Sequence, residues 1–340
     1  MEFGPVPLAA AAGAILAHSE AVAGGRLRKG QVLGPEELAA LALAGVAEVW
    51  VARPGPAEVG EDEAAARIAA ALVPDPAAAG LVVTPAFTGR VNLKAAHPGV
   101  VEIDAGAVHA LNRIDPAITL ATLAPWERVE AGQIVATVKI IAYAVRDRAV
   151  DAAAVEADGA IRVRPVVRRT AGLILTAVPG QAERLNAKGR RAVEGRLHAL
   201  GMTLAGVAEV PHGVEAVAQA LAGLPGAIAL ILTGSATSDL RDVGPEGVRA
   251  AGGRVARFGM PVDPGNLLYL GDQGGRPVIG LPGCARSPAL NGADWVLERL
   301  ACGVAVDDAM IAGMGVGGLL KEIPSRGQPR AGGAPAEDDD

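Results

Sequence analysis

Residues 231–247 read ILTGSATSDLRDVGPEG, an apolar run that breaks into small and hydroxylated residues and closes on acid, glycine and proline. Taken alone it is either a phosphate-holding loop between a strand and a helix or a polar crossover that any α/β protein carries, because a single glycine-containing loop after a strand is common. The neighbours decide the fold. Upstream, GLILTAV (172–178) reads as a strand, AERLNAKGRRAVEGRLHALG (182–201) as a helix closed by Gly201, and MTLAGVAEV (202–210) as a strand. GVEAVAQALAG (213–223) then reads as a helix and AIALILT (227–233) as a buried strand. Downstream come a helix in GPEGVRAAGG (244–253), strands near RVARFGM, NLLYLG and RPVIGL, and a helix beginning near Arg286. Strands alternating with helices of this length predict a doubly wound, mostly parallel α/β sheet over 169–303. In such sheets ligands bind beyond the carboxyl ends of the strands.

Three strand ends converge in that reading: Thr233-Gly234-Ser235 running on to Asp239 and Asp242, DPGN (263–266), and LPGCARS (281–287). A strand that stops at Pro-Gly and restarts as a helix leaves backbone N–H groups and the positive end of a helix dipole at the sheet edge, an anion site suited to phosphate. Gly234 allows close approach of a ligand to the backbone, and Ser235 and Thr237 offer hydroxyls. Asp239 and Asp242, three apart, can share a face and hold Mg²⁺ beside a phosphate. Asp242 can equally cap a helix starting at Val243, with Pro245 in its first turn. Ser287 faces the same choice between helix cap and phosphate contact, and Asn266 between turn and site. His212 reads as a helix-entry residue, and the other four histidines have no ligand spacing that would suggest zinc. No nucleophile elbow is present, and Cys284 has no evident histidine partner.

Ahead of this region, residues 1–80 read as a small α/β segment: a helix-like stretch at Leu8 to Ala17, a helix after Gly34-Pro35 led by Glu36 and Glu37 and ended by Gly45, a strand at Glu48 to Ala52, and a helix in VGEDEAAARIAAALV (59–73). Residues 81–168 are strand-rich, with GLVVTPAF, GVVEID, AITLATL, GQIVATVKIIAYAV and AIRVRPVV separated by turn residues, and a helix near Arg146 to Ala157. The basic group Arg162, Arg164, Arg168 and Arg169 reads as a solvated edge or a domain joint. Past residue 303, glycine, proline and terminal acids predict a flexible tail over 304–340.

Composition sets outer bounds. Hydrophobic residues make up 51% of the 340 but aromatics only 2%, so the cores must be packed from Ala, Val, Leu and Ile. A net charge of −6 without a basic stripe argues against nucleic-acid binding. Two cysteines exclude a disulfide scaffold, the acidic, uncharged-by-lysine start MEFGPVP is a poor signal peptide, and no apolar run reaches membrane-spanning length. A cytoplasmic protein with no membrane partner is expected.

With those residues in view, the stretch from about Gly172 to Gly303 resembles the molybdopterin-binding domain shared by molybdopterin adenylyltransferases and molybdopterin molybdotransferases. The family carries TGG, a following acid and DVTP; TGSATSDLRDVGP keeps Thr233, Gly234, Asp242, Val243 and Pro245. Pro264-Gly265 is similar to its PG turn, and Leu281-Pro282-Gly283 with Ser287 to its LPG…S helix entry. PVPLAAAAGAILA (5–17) and LRKGQVLGPEELAALALAGVAEVWVAR (27–53) are similar to the opening of molybdotransferases. The resemblance implies a protein of molybdenum-cofactor biosynthesis, with molybdopterin or its adenylylated form as ligand, ATP and Mg²⁺ or molybdate as co-reactants, and Asp242 as the catalytic, metal-organising carboxylate. It further implies that Gly234, Ser235, Gly283 and Ser287 hold phosphate, that Pro264 to Asn266 border the pterin, and that the chain is a homo-oligomer serving other cofactor-biosynthesis proteins or a molybdoenzyme.

The chain also departs from the family. Ser235 replaces the second glycine, Asn266 the basic residue after the PG turn, and Asp263 a frequent arginine, while Ala187 and Lys188 stand where an acidic pair is expected. These losses keep a second reading open, a non-catalytic binding or delivery module. A third, a nucleotide-processing relative of the kind linked to an amidohydrolase, would need a second catalytic domain, for which the sequence shows no motif.

Overall fold

The computed structural model describes residues 1–180 and 183–320, and the chain divides into two compact units, Met1–Arg164 and Pro165–Asp340. The first unit opens with β1 (Glu2–Pro7), a 3-10 turn (Leu8–Ala10), β2 (Ile15–Leu16), the hairpin β3 (Glu20–Val22) and β4 (Gly25–Leu27), α1 (Pro35–Leu43) and β5 (Glu48–Arg53). Strand β5 lies between β1 and β2, antiparallel to both. Its Val49 and Val51 turn into a small core with Ala11, Leu16, Leu33 and Leu41, while Trp50 between them is exposed. Helix α1 begins where the sequence placed it: Pro35 preorganises the first turn, and Glu37 accepts from the Gly34 N–H at 3.0 Å. The helix-like stretch expected over Leu8–Ala17 is corrected to a single 3-10 turn and a short strand. Backbone pairing outweighs alanine's helix propensity there, since Leu16 donates to Gln31 O and Leu33 donates to Ala14 O, both at 2.8 Å.

The unit continues through β6 (Glu58–Gly60), α2 (Glu61–Leu72), α3 (Pro76–Ala79), β7 (Leu81–Val83), β8 (Arg90–Ala95), β9 (Gly99–Ile103), α4 (Ala105–Leu111), β10 (Ile118–Thr122), β11 (Arg128–Val129), β12 (Ile134–Ile140), β13 (Ala144–Arg146), α5 (Asp147–Ala157) and β14 (Ile161–Pro165). Its sheets run β10-β12-β8-β7 and β11-β9-β14, with β13 beside β6. One core joins Ala64, Ile68 and Leu72 of α2 to Leu93, Val101, Val138 and Val163. The division expected between 80 and 81 therefore falls inside a shared core. Strand β8 and helix α4, the latter capped by Asp104 accepting from Ala107 N–H at 3.0 Å, were not legible as elements in the sequence.

The second unit carries β15 (Thr170–Ala177), α6 (Glu183–Ala199), β16 (Thr203–Pro211), α7 (Val214–Gly223), β17 (Ile228–Leu232), α8 (Val243–Ala250), β18 (Arg254–Phe258), β19 (Tyr269–Gln273), β20 (Arg276–Gly280), α9 (Gly292–Ala301) and α10 (Asp308–Gly313). Its six-stranded sheet has the order β16-β15-β17-β20-β19-β18. The first four strands are parallel, and β19 is antiparallel to both β20 and β18. Central strands of a parallel sheet are buried on both faces, and β17 (IALIL) accordingly has every residue buried. Ile174, Ala229 and Ile231 meet Val217 and Leu221 of α7 and Val248 of α8 on one face. On the other face α6 packs so closely that a Cβ on Gly189 would lie 2.7 Å from Leu232.

Two expectations change in this unit. The last long helix begins at Gly292, not near Arg286, because Asn291 accepts from Ala293 N–H and Asp294 returns to accept from Asn291 N–H, closing a capping box. Residues 283–286 form only a 3-10 turn. The tail expected from 304 gives way to ordered structure through residue 320: α10 buries Ile311, and Leu319 bridges to Asp263. The remainder of that expected tail, 321–340, lies outside the described residues. Among the described residues no helix is long and apolar enough to cross a membrane.

Candidate functional site

The pairing Leu175 to Leu232, Ile231 to Gly280, Gly280 to Tyr269 and Tyr269 to Phe258 puts the ends of β15, β17 and β20 at one sheet edge, together with the β18–β19 connection. All three sequence motifs, 233–242, 263–266 and 281–287, therefore emerge at that edge. A ring-sized gap at Gly280 allows this packing, since a Cβ there would fall 1.8 Å from the Tyr269 ring.

The loop after β17 is tied to its neighbour. Gly234 N–H donates to Thr176 Oγ1 at 2.7 Å, and the same hydroxyl lies 2.9 Å from His212 Nδ1. Thr233, buried, donates its hydroxyl to Ser235 O at 2.6 Å, with Thr237 Oγ1 3.4 Å away. Ser235 is exposed. Asp242 caps α8: one carboxylate oxygen accepts from Val243 N–H at 2.7 Å and the other from Ser238 N–H at 3.0 Å. Asp239 is exposed and turns to Arg241, whose backbone N–H, at 2.8 Å, holds its carboxyl below the usual range. Each aspartate thus closes its own loop. Among the described residues no group of three or more His, Cys, Asp or Glu is arranged to hold a metal ion.

At the second motif the Asp263–Pro264 peptide is cis, and Gly265 takes φ +142°. A Cβ at Gly265 would stand 2.7 Å from Gly292 N, whose N–H donates to Pro264 O at 2.8 Å, so this turn abuts the start of α9. Asn266 uses its carbonyl to accept from Met260 N–H, and its side chain is exposed. At the third motif Leu281 N–H donates to Ile231 O at 2.7 Å, Pro282 is buried and Gly283 exposed. Ser287 Oγ accepts from Ala289 N–H at 3.3 Å in a local turn, leaving the cap of α9 to Asn291.

Four further residues shape the edge and were not singled out from sequence. Arg196 of α6 makes five hydrogen bonds, to Asp294 Oδ1 and to the carbonyls of Ala192, Ala285, Ser287 and Ala289, and so fastens the third loop. Arg286, only 9% exposed, donates through Nη2 to Thr233 O at 2.7 Å and thereby joins the third loop to the first. Asn186, 7% exposed, and Tyr269 each bury an oxygen with no hydrogen-bond partner among the described residues. Burial, and secondarily the Asp242 charge, raises the Tyr269 phenol above its ordinary value.

A second surface lies in the first unit. Phe3, His18 and Trp50 cluster with ring centroids 5.8–6.5 Å apart, and a shallow cavity of about 200 Å³ is lined by residues that include Glu2, Phe3, Val51 and Arg53. A family profile described as a domain of unknown function (DUF8806) matches residues 5–53, which coincide with the small core under this surface. No curated protein matches the chain. Among solved structures, it is similar at TM-score 0.30 and 11% identity to a molybdopterin biosynthesis MoeA protein from Pyrococcus horikosii, over 89% of this chain and 75% of that one. It is also similar at TM-score 0.23 and 12% identity to a molybdenum cofactor biosynthesis protein from Pyrococcus furiosus, over 92% of this chain and 65% of that one.

Proposed function

We propose that the second unit, a doubly wound α/β domain, binds molybdopterin or its adenylylated form at the carboxyl edge of its sheet, in the service of molybdenum-cofactor biosynthesis. The observation that carries this reading is the convergence of the three family-like motifs: separated by up to about 50 residues in sequence, they emerge at one edge through the pairing of β17, β20 and β19. A pterin would lie against the Pro264–Asn266 turn and its phosphate against the 233–235 and 283–287 loops. Binding without chemistry is the form the geometry favours, because both oxygens of Asp242 hold backbone N–H groups and Asp239 faces Arg241. The alternative is an enzyme that adenylylates the pterin with ATP and Mg²⁺ or exchanges the adenylate for molybdate, and the presence of Asp242 at the entry to α8 is the observation in its favour. Homo-oligomerisation and hand-over to a molybdoenzyme belong to the same proposal.

The test is to mix the purified chain with molybdopterin, ATP and Mg²⁺ and to follow pterin retention and pyrophosphate release, with Asp242→Asn as control. Retention without release is expected. Release that disappears in Asp242→Asn would establish the enzyme instead, and absence of retention would remove the proposal.

A further inference from the structure

Arg286 is the least satisfied charge at the candidate site. A guanidinium has five N–H donors, and here a single hydrogen bond, to Thr233 O, uses one of them among the described residues. Its Nε is buried without a partner among the described residues. No carboxylate pairs with it among the described residues, in contrast to Arg196, which meets Asp294 at 2.6 Å. Burial alone pulls the guanidinium below its ordinary value, with no acidic neighbour acting in the other direction. Isolated buried cations are costly and are normally paired or ligand-bound.

The surroundings offer a way in. Gly283 is exposed and lacks a side chain, and the atom nearest to a Cβ built on it is Arg286 Nη1, at 3.8 Å. Nη1 of the guanidinium therefore lies beside an exposed glycine. Its other side is made by α6, where Gly189 leaves room: a Cβ there would be 3.4 Å from Arg286 Cγ and 3.8 Å from Nε. Asn186, one helical turn earlier on α6, buries its own Oδ1 without a partner among the described residues. Two independent buried polar groups without partners among the described residues, on two elements of the same edge, mark a place suited to an outside ligand.

We propose that Arg286 holds a phosphate of the ligand taken up at this edge, with its planar fork presented through the gap at Gly283. The proposal rests on the reading that this edge takes a phosphorylated ligand, and it adds the residue that neutralises the charge. Arginine suits the task because its donors match two phosphate oxygens at once and it stays charged when buried. The bond to Thr233 O fixes the guanidinium before a ligand arrives, so binding requires no new side-chain ordering.

Calorimetric titration of the full chain with inorganic pyrophosphate tests this, on the natural protein and on Arg286→Met and Arg286→Gln, with molybdopterin retention measured in parallel. Pyrophosphate should bind the natural protein, and each variant should bind it roughly tenfold or more weakly. The ligand-free Arg286→Met protein should melt no lower than the natural one, because it loses an unpaired buried charge. Equal affinity in all three proteins, or no pyrophosphate binding by the natural protein, overturns the proposal, as does a lower melting point with binding unchanged. If neither variant folds, the ¹⁵Nε resonance of Arg286 in the natural protein carries the test: it must shift on adding pyrophosphate. Pyrophosphate binding that depends on Arg286 without molybdopterin retention leaves this inference standing and removes the pterin reading. Molybdopterin retained equally by Arg286→Met and the natural protein does the reverse.

Discussion

The first unit and the sheet edge of the second treat arginine in opposite ways. In the first unit, Arg67 reaches Asp147 at 2.6 Å and also Asp151, and Arg162 grips Glu102 through two bonds of 2.6 and 2.8 Å. These pairs are half open to solvent, where each charge keeps most of its hydration and the pair contributes little. At the edge of the second unit, Arg196 and Arg286 are both taken out of water, one with a full set of acceptors and the other with a single carbonyl. A unit whose charges are paired among themselves can be complete as a scaffold. An edge that buries one satisfied and one unsatisfied cation side by side is organised first and then left open to a partner of opposite charge.

The largest expected effect comes from breaking the satisfied member. Arg196→Met strips the partners from three loop carbonyls and leaves Asp294 buried without its cation, which should cost about 3–5 kcal/mol. The midpoint of chemical unfolding reads the total, and amide hydrogen exchange over 285–294 should show that the loss is concentrated in the third loop. If Arg196→Met costs no more than an exposed pair does, the edge is not held by this clamp and the contrast with the first unit collapses. A smaller effect is expected at the first loop. Asp242→Ala removes the cap of α8 and the tie to Ser238, for about 1 kcal/mol. Faster exchange confined to the amides of Ser238 and the first turn of α8 would sharpen the assignment, whereas a global loss would mean that the carboxylate does more than cap.

Much of this could be read before the structure. The alternation of apolar runs with helical periods in 170–301 reflects strong local signals, so β15, α6, β16, α7 and β17 fall where they were expected, and so do α1 and α2 with their Pro35 and glutamate-led starts. The start of α9 was missed because LPGCARS carries a plausible helix entry, and only the capping box of Asn291 and Asp294, with Asp294 also held by Arg196, shows where the backbone N–H groups are satisfied. The stretch 8–17 misled for the opposite reason. Its alanines favour a helix, but Gly13 takes φ +71° and residues 31–33 claim the neighbouring backbone groups. At the site, the motifs were legible because glycine, proline and hydroxyl residues cluster in short windows. Arg286 and Asn186 were not, because what distinguishes them is burial without partners, a property of the packed molecule that no local pattern records.

The smallest prediction tests the other half of the comparison, that the ion pairs of the first unit are ordinary. The Arg162 hydrogen bonds, joined by the charges of Arg162 and Arg164, hold the Glu102 carboxyl below the usual carboxylate range against an opposing effect of burial. A carboxyl depressed in the folded state contributes stability above its unfolded value, about 4.3. That contribution disappears as the pH falls through the lower, folded value. Glu102 and Arg162 are 28% and 51% exposed, so solvent screening keeps the contribution below about 1 kcal/mol. Glu102→Gln should therefore leave stability nearly unchanged once the pH lies below the depressed folded value, lower it slightly at neutral pH, and flatten this part of the acid limb, all measurable by unfolding at a series of pH values. The difference should shrink further in high salt. A loss of several kcal/mol at neutral pH, insensitive to salt, would place Glu102 and Arg162 in the same class as Arg196 and Asp294, and the openness of the second unit's edge could no longer be read from how it treats its arginines.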